Sequence, residues 1–169
     1  MQVGQFYGKY RGTVVSNVDP QNIGRLSVTV PDVSNIQTST WAMPAAALAG
    51  SQSGFFAVPP VGSNVWVEFE QGDSDYPIWS GCFWGSSSEV PPQGNSAPPG
   101  VQSIVIQSVG GNILMISDVP GSTGGILLKS SSGASIAIND TGITITNGQA
   151  TIQIAGPSVT VNNGALVVT

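Results

Sequence analysis

Histidine is absent from this 169-residue chain. With it go the commonest general base, the commonest metal ligand and every Ser-His catalytic arrangement. Cysteine occurs once, at Cys82, so no internal disulfide can staple the fold. Charged residues make up 8% of the chain, against about 25% in an ordinary soluble domain. Only four are Lys or Arg and the net charge is −5, which argues against nucleic acid as a partner because phosphate binding needs clustered positive charge. No apolar run approaches the ~20 residues of a membrane-spanning helix. The opening MQVGQFYGKYRG has no apolar signal-peptide core, so the expectation is a protein made and folded in the cytoplasm unless another machine carries it out.

What remains is 40% apolar, with 22 Gly and 12 Pro, and it is written in two alphabets. All aromatics lie between Phe6 and Trp84, and none follows. The stretch SSSEVPPQGNSAPPG (86–100) suits neither helix nor sheet and reads as a stiff, extended Pro/Ser/Gly linker. The expected division is therefore a barrel over 1–88, a linker over 89–101 and a strand ladder over 102–169.

In the first part RGTVVSNV, GRLSVTV, NVWVEFE and PIWSGCF are short β-rich runs separated by turn signals. DPQNIG (19–24) and QGDSDYP (71–77) read as hairpin loops, and AAALAGSQSG (45–54) is the one candidate helix. In NVWVEFE the alternation puts Val65, Val67 and Phe69 on one face and Trp66, Glu68 and Glu70 on the other. About five short strands with Gly at the bends predict a small closed barrel with a core of large side chains.

The second part is a ladder of aliphatic pairs: Ile104/Ile106, Ile113/Met115, Ile126/Leu128, Ile136/Ile138, Ile143/Ile145, Ile152/Ile154, Val159/Val161 and Leu166/Val168. Gly, Asn or Asp recurs in the gaps, where tight reversals need positive φ. Each short strand thus has one apolar and one Ser/Thr/Asn/Gln face. One copy cannot close on itself. Ordering a residue costs roughly 1.5 kcal/mol, and an aliphatic offsets this only when fully enclosed, at ~1.5–3 kcal/mol. A parallel β-helix needs longer coils than this spacing gives, and a sandwich would draw on aromatics. Three chains around one axis satisfy both constraints, because aliphatics fit at a threefold axis where rings do not.

The residues of the first part also carry a resemblance. GKYRGTVVSN, GRLSVTVPDV, WAMP and GFFAVPPVGSNVWVEFEQGDSDYPIWSGCFWG are similar to the oligonucleotide/oligosaccharide-binding (OB) barrel of the gp5/VgrG-type baseplate spikes of contractile injection systems. The most specific element, P-V-G-x-x-V-x-V-x-F-x-x-G-D-x-x-x-P-x-W-x-G, runs from Pro60 to Gly81. The resemblance implies an all-β protein, an N-terminal OB barrel followed by an intertwined trimeric β-helix, acting as the central spike of a phage tail or related machine. It implies a structural homotrimer that attaches to a baseplate hub by its barrels, pierces the target envelope and makes transient contact with the membrane. The expected location is the baseplate of a virion tail. The axis would be lined by Ile136, Ile138, Ile143, Ile145, Ile152, Ile154, Val159, Val161, Leu166 and Val168. Pro60, Gly62, Gly72, Asp73, Pro77 and Gly81 would set the barrel's turns. The barrel begins almost at Met1, which points to a minimal spike docked on a separate hub, with a separate PAAR-like tip protein over the blunt C-terminal end.

Candidate chemistry is sparse, and no catalytic residue, cofactor or metal is expected. Glu68, Glu70, Asp73 and Asp75 form the one acidic cluster, read as an exposed strand face and turn rather than an acid/base pair or calcium loop. Serines lack a base beyond Lys9 and Lys129. Cys82 reads as a small buried hydrophobe. Trp66, Trp79 and Trp84 could stack on sugars or bases, which supports an alternative reading as a glycan- or single-strand-binding barrel on a stalk. A carbohydrate-degrading solenoid would need a carboxylate pair on the ladder, where only Asp118 and Asp140 are available.

Overall fold

The computed structural model describes residues 5–33 and 40–168. It divides into two compact units, 1–87 and 88–169.

The first unit contains β1 (Tyr10–Ser16), β2 (Ser27–Thr29), β3 (Met43–Pro44), β4 (Ala49–Gly50), β5 (Ser53–Gly54), β6 (Asn64–Phe69) and β7 (Pro77–Cys82). Five of these form a sheet ordered β2-β1-β6-β7-β3, antiparallel throughout except for the parallel β3–β7 pair. The two ends of that order meet again beside β2 and β3. There Leu26 and Ala42 exchange two backbone hydrogen bonds, at 3.0 and 2.8 Å. This exchange closes the sheet into a barrel and removes its edges. Its core is Val14, Leu26, Val28, Val30, Ala42, Val65, Val67 and Phe69. It is mostly aliphatic, so the expected core of large side chains is corrected. The aromatics Phe6 and Tyr10 pack with Phe69 at its margin, ring centroids 5.6 to 6.2 Å apart. Along β6 burial alternates at every residue, with Val65, Val67 and Phe69 inward.

Two local expectations fail. Residues 45–54 are not a helix but the tight β4–β5 hairpin, with Gln52 at φ 52° in its loop. Two glycines and two serines in ten residues disfavour a helix, and the run is too short to nucleate one alone. The presumed extended linker contains two 3-10 turns, Ser87–Glu89 and Pro92–Asn95. Pro92 opens the second, where its missing N–H is not needed.

The second unit is an eight-stranded sheet in chain order: β8 (Ser103–Gln107), β9 (Ile113–Ser117), β10 (Gly125–Lys129), β11 (Ser135–Asn139), β12 (Gly142–Thr146), β13 (Thr151–Ala155), β14 (Ser158–Val161) and β15 (Leu166–Val168). Every neighbouring pair is antiparallel. Asparagine side chains tie the turns down. Asn112 Oδ1 accepts from Ser131 N at 3.1 Å, Asn147 Oδ1 from Ala150 N at 2.7 Å, and Asn162 Oδ1 from Thr151 N at 3.0 Å.

Candidate functional site: the aliphatic face of the meander

Cross-strand register sets the side chains of β8–β15 in columns. Ile104, Ile116, Ile126, Ile138, Ile143, Ile154, Val159 and Val168 follow one another across the sheet. Beside them run Ile106, Leu114, Leu128, Ile136, Ile145, Ile152, Val161 and Leu166. Both columns share a face by the two-residue period of a strand. Within one chain that face is open: Ile104 keeps 50% of its surface exposed and Leu166 59%. Ile126, Leu128, Ile136, Ile138, Ile145, Ile152 and Ile154 also remain exposed, while Ile143, Val159 and Val161 are half-buried. The side chain of Val168 lies outside the described residues.

One rung differs from expectation. In β9 the pair on this face is Leu114/Ile116, not Ile113/Met115. Met115 points to the other side, between Val105 and Leu127, and is buried. The run ILMIS is apolar at both parities, so periodicity cannot choose; hydrogen-bond register does. The signal was present in the neighbours, where Val105 and Leu127 fill the middle position that is Thr144, Gln153 or Thr160 further on.

The barrel's turn residues sit as follows. Pro60 begins a turn closed by Ser63 N donating to its carbonyl at 3.1 Å, with Gly62 at φ 88°. Gly72, at φ 80°, has the Tyr7 ring against it, and its carbonyl accepts from Phe6 N at 2.8 Å. Asp73 Oδ1 accepts from Asp75 N at 3.0 Å. Pro77 is buried at the start of β7. Gly81 occupies a β-bulge: between Val65↔Cys82 and Val67↔Trp79, Ser80 and Gly81 together oppose Trp66. Its φ of 128° is one that a side chain rarely tolerates.

The acidic residues do not converge. Glu68 pairs with Lys9 and accepts from Ser80 Oγ at 3.1 Å. The Lys9 hydrogen bond, followed by that of Ser80, holds its carboxyl below the usual range. Among the described residues no group of three His, Cys, Asp or Glu could hold a metal ion. Asp140 is turned onto its own sheet, its Oδ2 accepting from Gly121 N at 2.7 Å.

Cys82 is exposed at the end of β7, which corrects the expectation of burial. Local desolvation pushes its thiol pKa up, so it is not an activated nucleophile. Trp79 packs against the core and donates Nε1–H to Gly24 O at 3.0 Å. Trp66 stacks on Phe83 at 4.7 Å with the Arg11 guanidinium 5.8 Å from its centroid, and Trp84 is exposed. Sequence reasoning also missed a feature of the barrel. An apolar groove of 810 Å³ lies between the β4–β5 hairpin and β3/β7, walled by Met43, Leu48, Phe55, Phe56 and Trp79, with Cys82 among its lining.

A closed barrel followed by a one-sided, nearly uncharged strand ladder defines a class of protein, a barrel joined to a self-association module. Residues 10–84 match the family described as the type VI secretion system/phage-baseplate injector OB domain. Residues 103–167 match the phage baseplate V C-terminal trimerisation domain. Together the two matches take in most of the chain, which belongs to the family of phage-baseplate and VgrG spike proteins. Among its relatives, the type VI secretion system spike protein VgrG3 of Vibrio cholerae is 39% identical over 74 residues, 41% of this chain and 7% of that protein. The spike protein VgrG5 of Pseudomonas aeruginosa is 41% identical over 54 residues, 32% of this chain and 7% of its own length. The actin cross-linking toxin VgrG1 of Vibrio cholerae is 42% identical over 57 residues, 34% of this chain and 5% of that toxin. The chain thus aligns with only a small fraction of these curated relatives.

Proposed function

We propose that three copies of this chain form the central spike of a contractile injection machine, a structural part and not an enzyme. The observation that carries this reading is the continuous open aliphatic face of β8–β15. Enclosing each half-exposed Ile or Leu is worth about 1 kcal/mol, so a face of this length amounts to on the order of 10 kcal/mol per chain. In the trimer Ile136, Ile138, Ile143, Ile145, Ile152, Ile154, Val159, Val161, Leu166 and Val168 line the axis, as do Leu114 and Ile116. A stack of fully paired short strands offers few weakly held units to open first, which suits a shaft driven through an envelope. The OB barrels attach to a baseplate hub, and a PAAR-like protein caps the shaft on the side of β15, the last strand in the sheet's order.

The test is solution mass by light scattering, on the whole chain and on residues 1–87. A stable trimer for the former and a monomer or weak oligomer for the latter supports the reading. A monomeric whole chain with a cooperative melt overturns it. For the caps, pull-down with the trimer as bait from the producing cells should recover hub and tip proteins, and recovery of neither removes those two partners.

A further inference from the structure

The apolar groove of the barrel has no role in a shaft that trimerises by its ladder. Leu48, Phe55 and Phe56 are 67%, 60% and 73% exposed beside it, and among the described residues no charged one lines it. Apolar surface of this kind on a small unit marks a contact site. The same barrel exposes a second apolar patch outside the groove, Val18 at 79% and Val61 at 60%. Their loops are tied together by Asn17 Nδ2 donating to Pro59 O at 3.1 Å.

We propose that in the trimer the groove of each barrel is covered by the Val18/Val61 patch of the next copy, giving a ring of three barrel–barrel contacts. This rests on the trimeric reading above. A groove and a second, non-identical patch on the same barrel are what a head-to-tail contact around a threefold axis requires. A second copy is the occupant because the trimerisation domain at 103–167 tethers two other barrels nearby, each by the segment between Cys82 and Ser103. Such tethers give local concentrations in the mM range. A modest apolar contact then suffices, and the lining carries no charge for an acidic or basic partner to recognise.

Cys82 lies in the groove and is the chain's sole cysteine, so its alkylation by N-ethylmaleimide reports coverage directly. The full-length chain is compared with two double variants, Leu48→Asp/Phe55→Asp in the groove and Val18→Asp/Val61→Asp outside it. All four positions are exposed, which keeps the barrel core intact. New carboxylates in the groove would slow a thiolate reaction, so a faster rate there is not electrostatic. A contact whose dissociation constant is tenfold below the local concentration is closed about nine-tenths of the time, slowing alkylation about tenfold. The expected result is three trimers by light scattering, with the thiol of both variants alkylated about tenfold faster than wild type. The inference is overturned if wild-type trimer reacts as fast as the variants, or if the Val18/Val61 variant keeps the wild-type rate. A monomeric wild-type chain removes the trimeric reading itself, an outcome distinct from a trimer with open thiols.

Discussion

Asp19 shows how one side chain organises the first loop of the barrel. Its carboxylate is buried and accepts from Gln21 N at 3.0 Å, Ile23 N at 3.0 Å and Arg25 N at 3.2 Å. Arg25 adds two donors to the one oxygen Oδ1, Nε at 3.0 Å and Nη2 at 2.7 Å, and places its guanidinium near Trp41. The Arg25 hydrogen bond, helped by the backbone N–H groups and opposed by burial, holds the carboxyl far below the ordinary range. A lowered folded-state pKa contributes stability above the unfolded value, about 3.9, that is lost as pH falls toward the folded one. The barrel's Tm should therefore stay flat from pH 7 to about 4.5 and fall below it. Asp19→Asn should lower Tm at pH 7 and flatten the acid slope in the same circular-dichroism melts. An unchanged slope would assign it to other carboxylates. The sequence announced a loop at DPQNIG but could not pair Asp19 with Arg25, since that choice depends on how the loop folds back. Gly142 was legible as a turn residue for a simpler reason, its place between two aliphatic pairs. At φ 123° a Cβ there would fall inside the van der Waals shell of the Ile154 carbonyl oxygen. Gly142→Ala should therefore destabilise the ladder by about 1–3 kcal/mol, read by denaturant unfolding, and near-neutrality would mean the strand shifts without cost.

Strand parity decides what each element contributes. Ile145 and Thr144 are chain neighbours on β12, yet register places Ile145 in the aliphatic column between Ile136 and Ile152 and Thr144 opposite Ala137 and Gln153. Ile145→Asp would bring three like charges together in an apolar axis, where each unpaired charge costs several kcal/mol, and should abolish the trimer in size-exclusion light scattering. Thr144→Asp should leave the trimer intact; equal effects would mean that either face, or neither, is the interface. The pairs from Ile126 onward could be read from periodicity because their middle residues are polar or small in most strands. β9 could not, since its flanking residues are apolar on both sides. Its true parity follows from the loop between Gln107 and Ile113, which sets the pairing one residue away from the obvious pair. Met115→Ala should then behave as a core truncation, costing about 2–5 kcal/mol of ladder stability without adding charge to the axis. An effect on trimer mass at preserved ladder stability would instead restore Ile113/Met115 to the aliphatic face.

At the scale of the whole molecule the two units are held together by different physics. The barrel closes on its own aliphatic core and carries the ion pairs Arg25–Asp19 and Lys9–Glu68. The ladder leaves its apolar face open, and from residue 88 onward its only charged residues are Glu89, Asp118, Lys129 and Asp140. That contrast was legible in the abrupt loss of aromatics after Trp84. The groove was not, because it is assembled from short runs between residues 23 and 82 that carry no periodic signal of their own. Calorimetry of the full chain should accordingly show two transitions that respond to different variables. Acid should lower the barrel transition through Asp19 and scarcely move the ladder. Dilution should do the reverse, because three chains must meet for the ladder to close: each tenfold dilution weakens a trimer by two concentration factors, about 2.7 kcal/mol. A ladder transition independent of concentration would mean that the eight strands are stable as a single chain, and the aliphatic face would then need another partner to explain it.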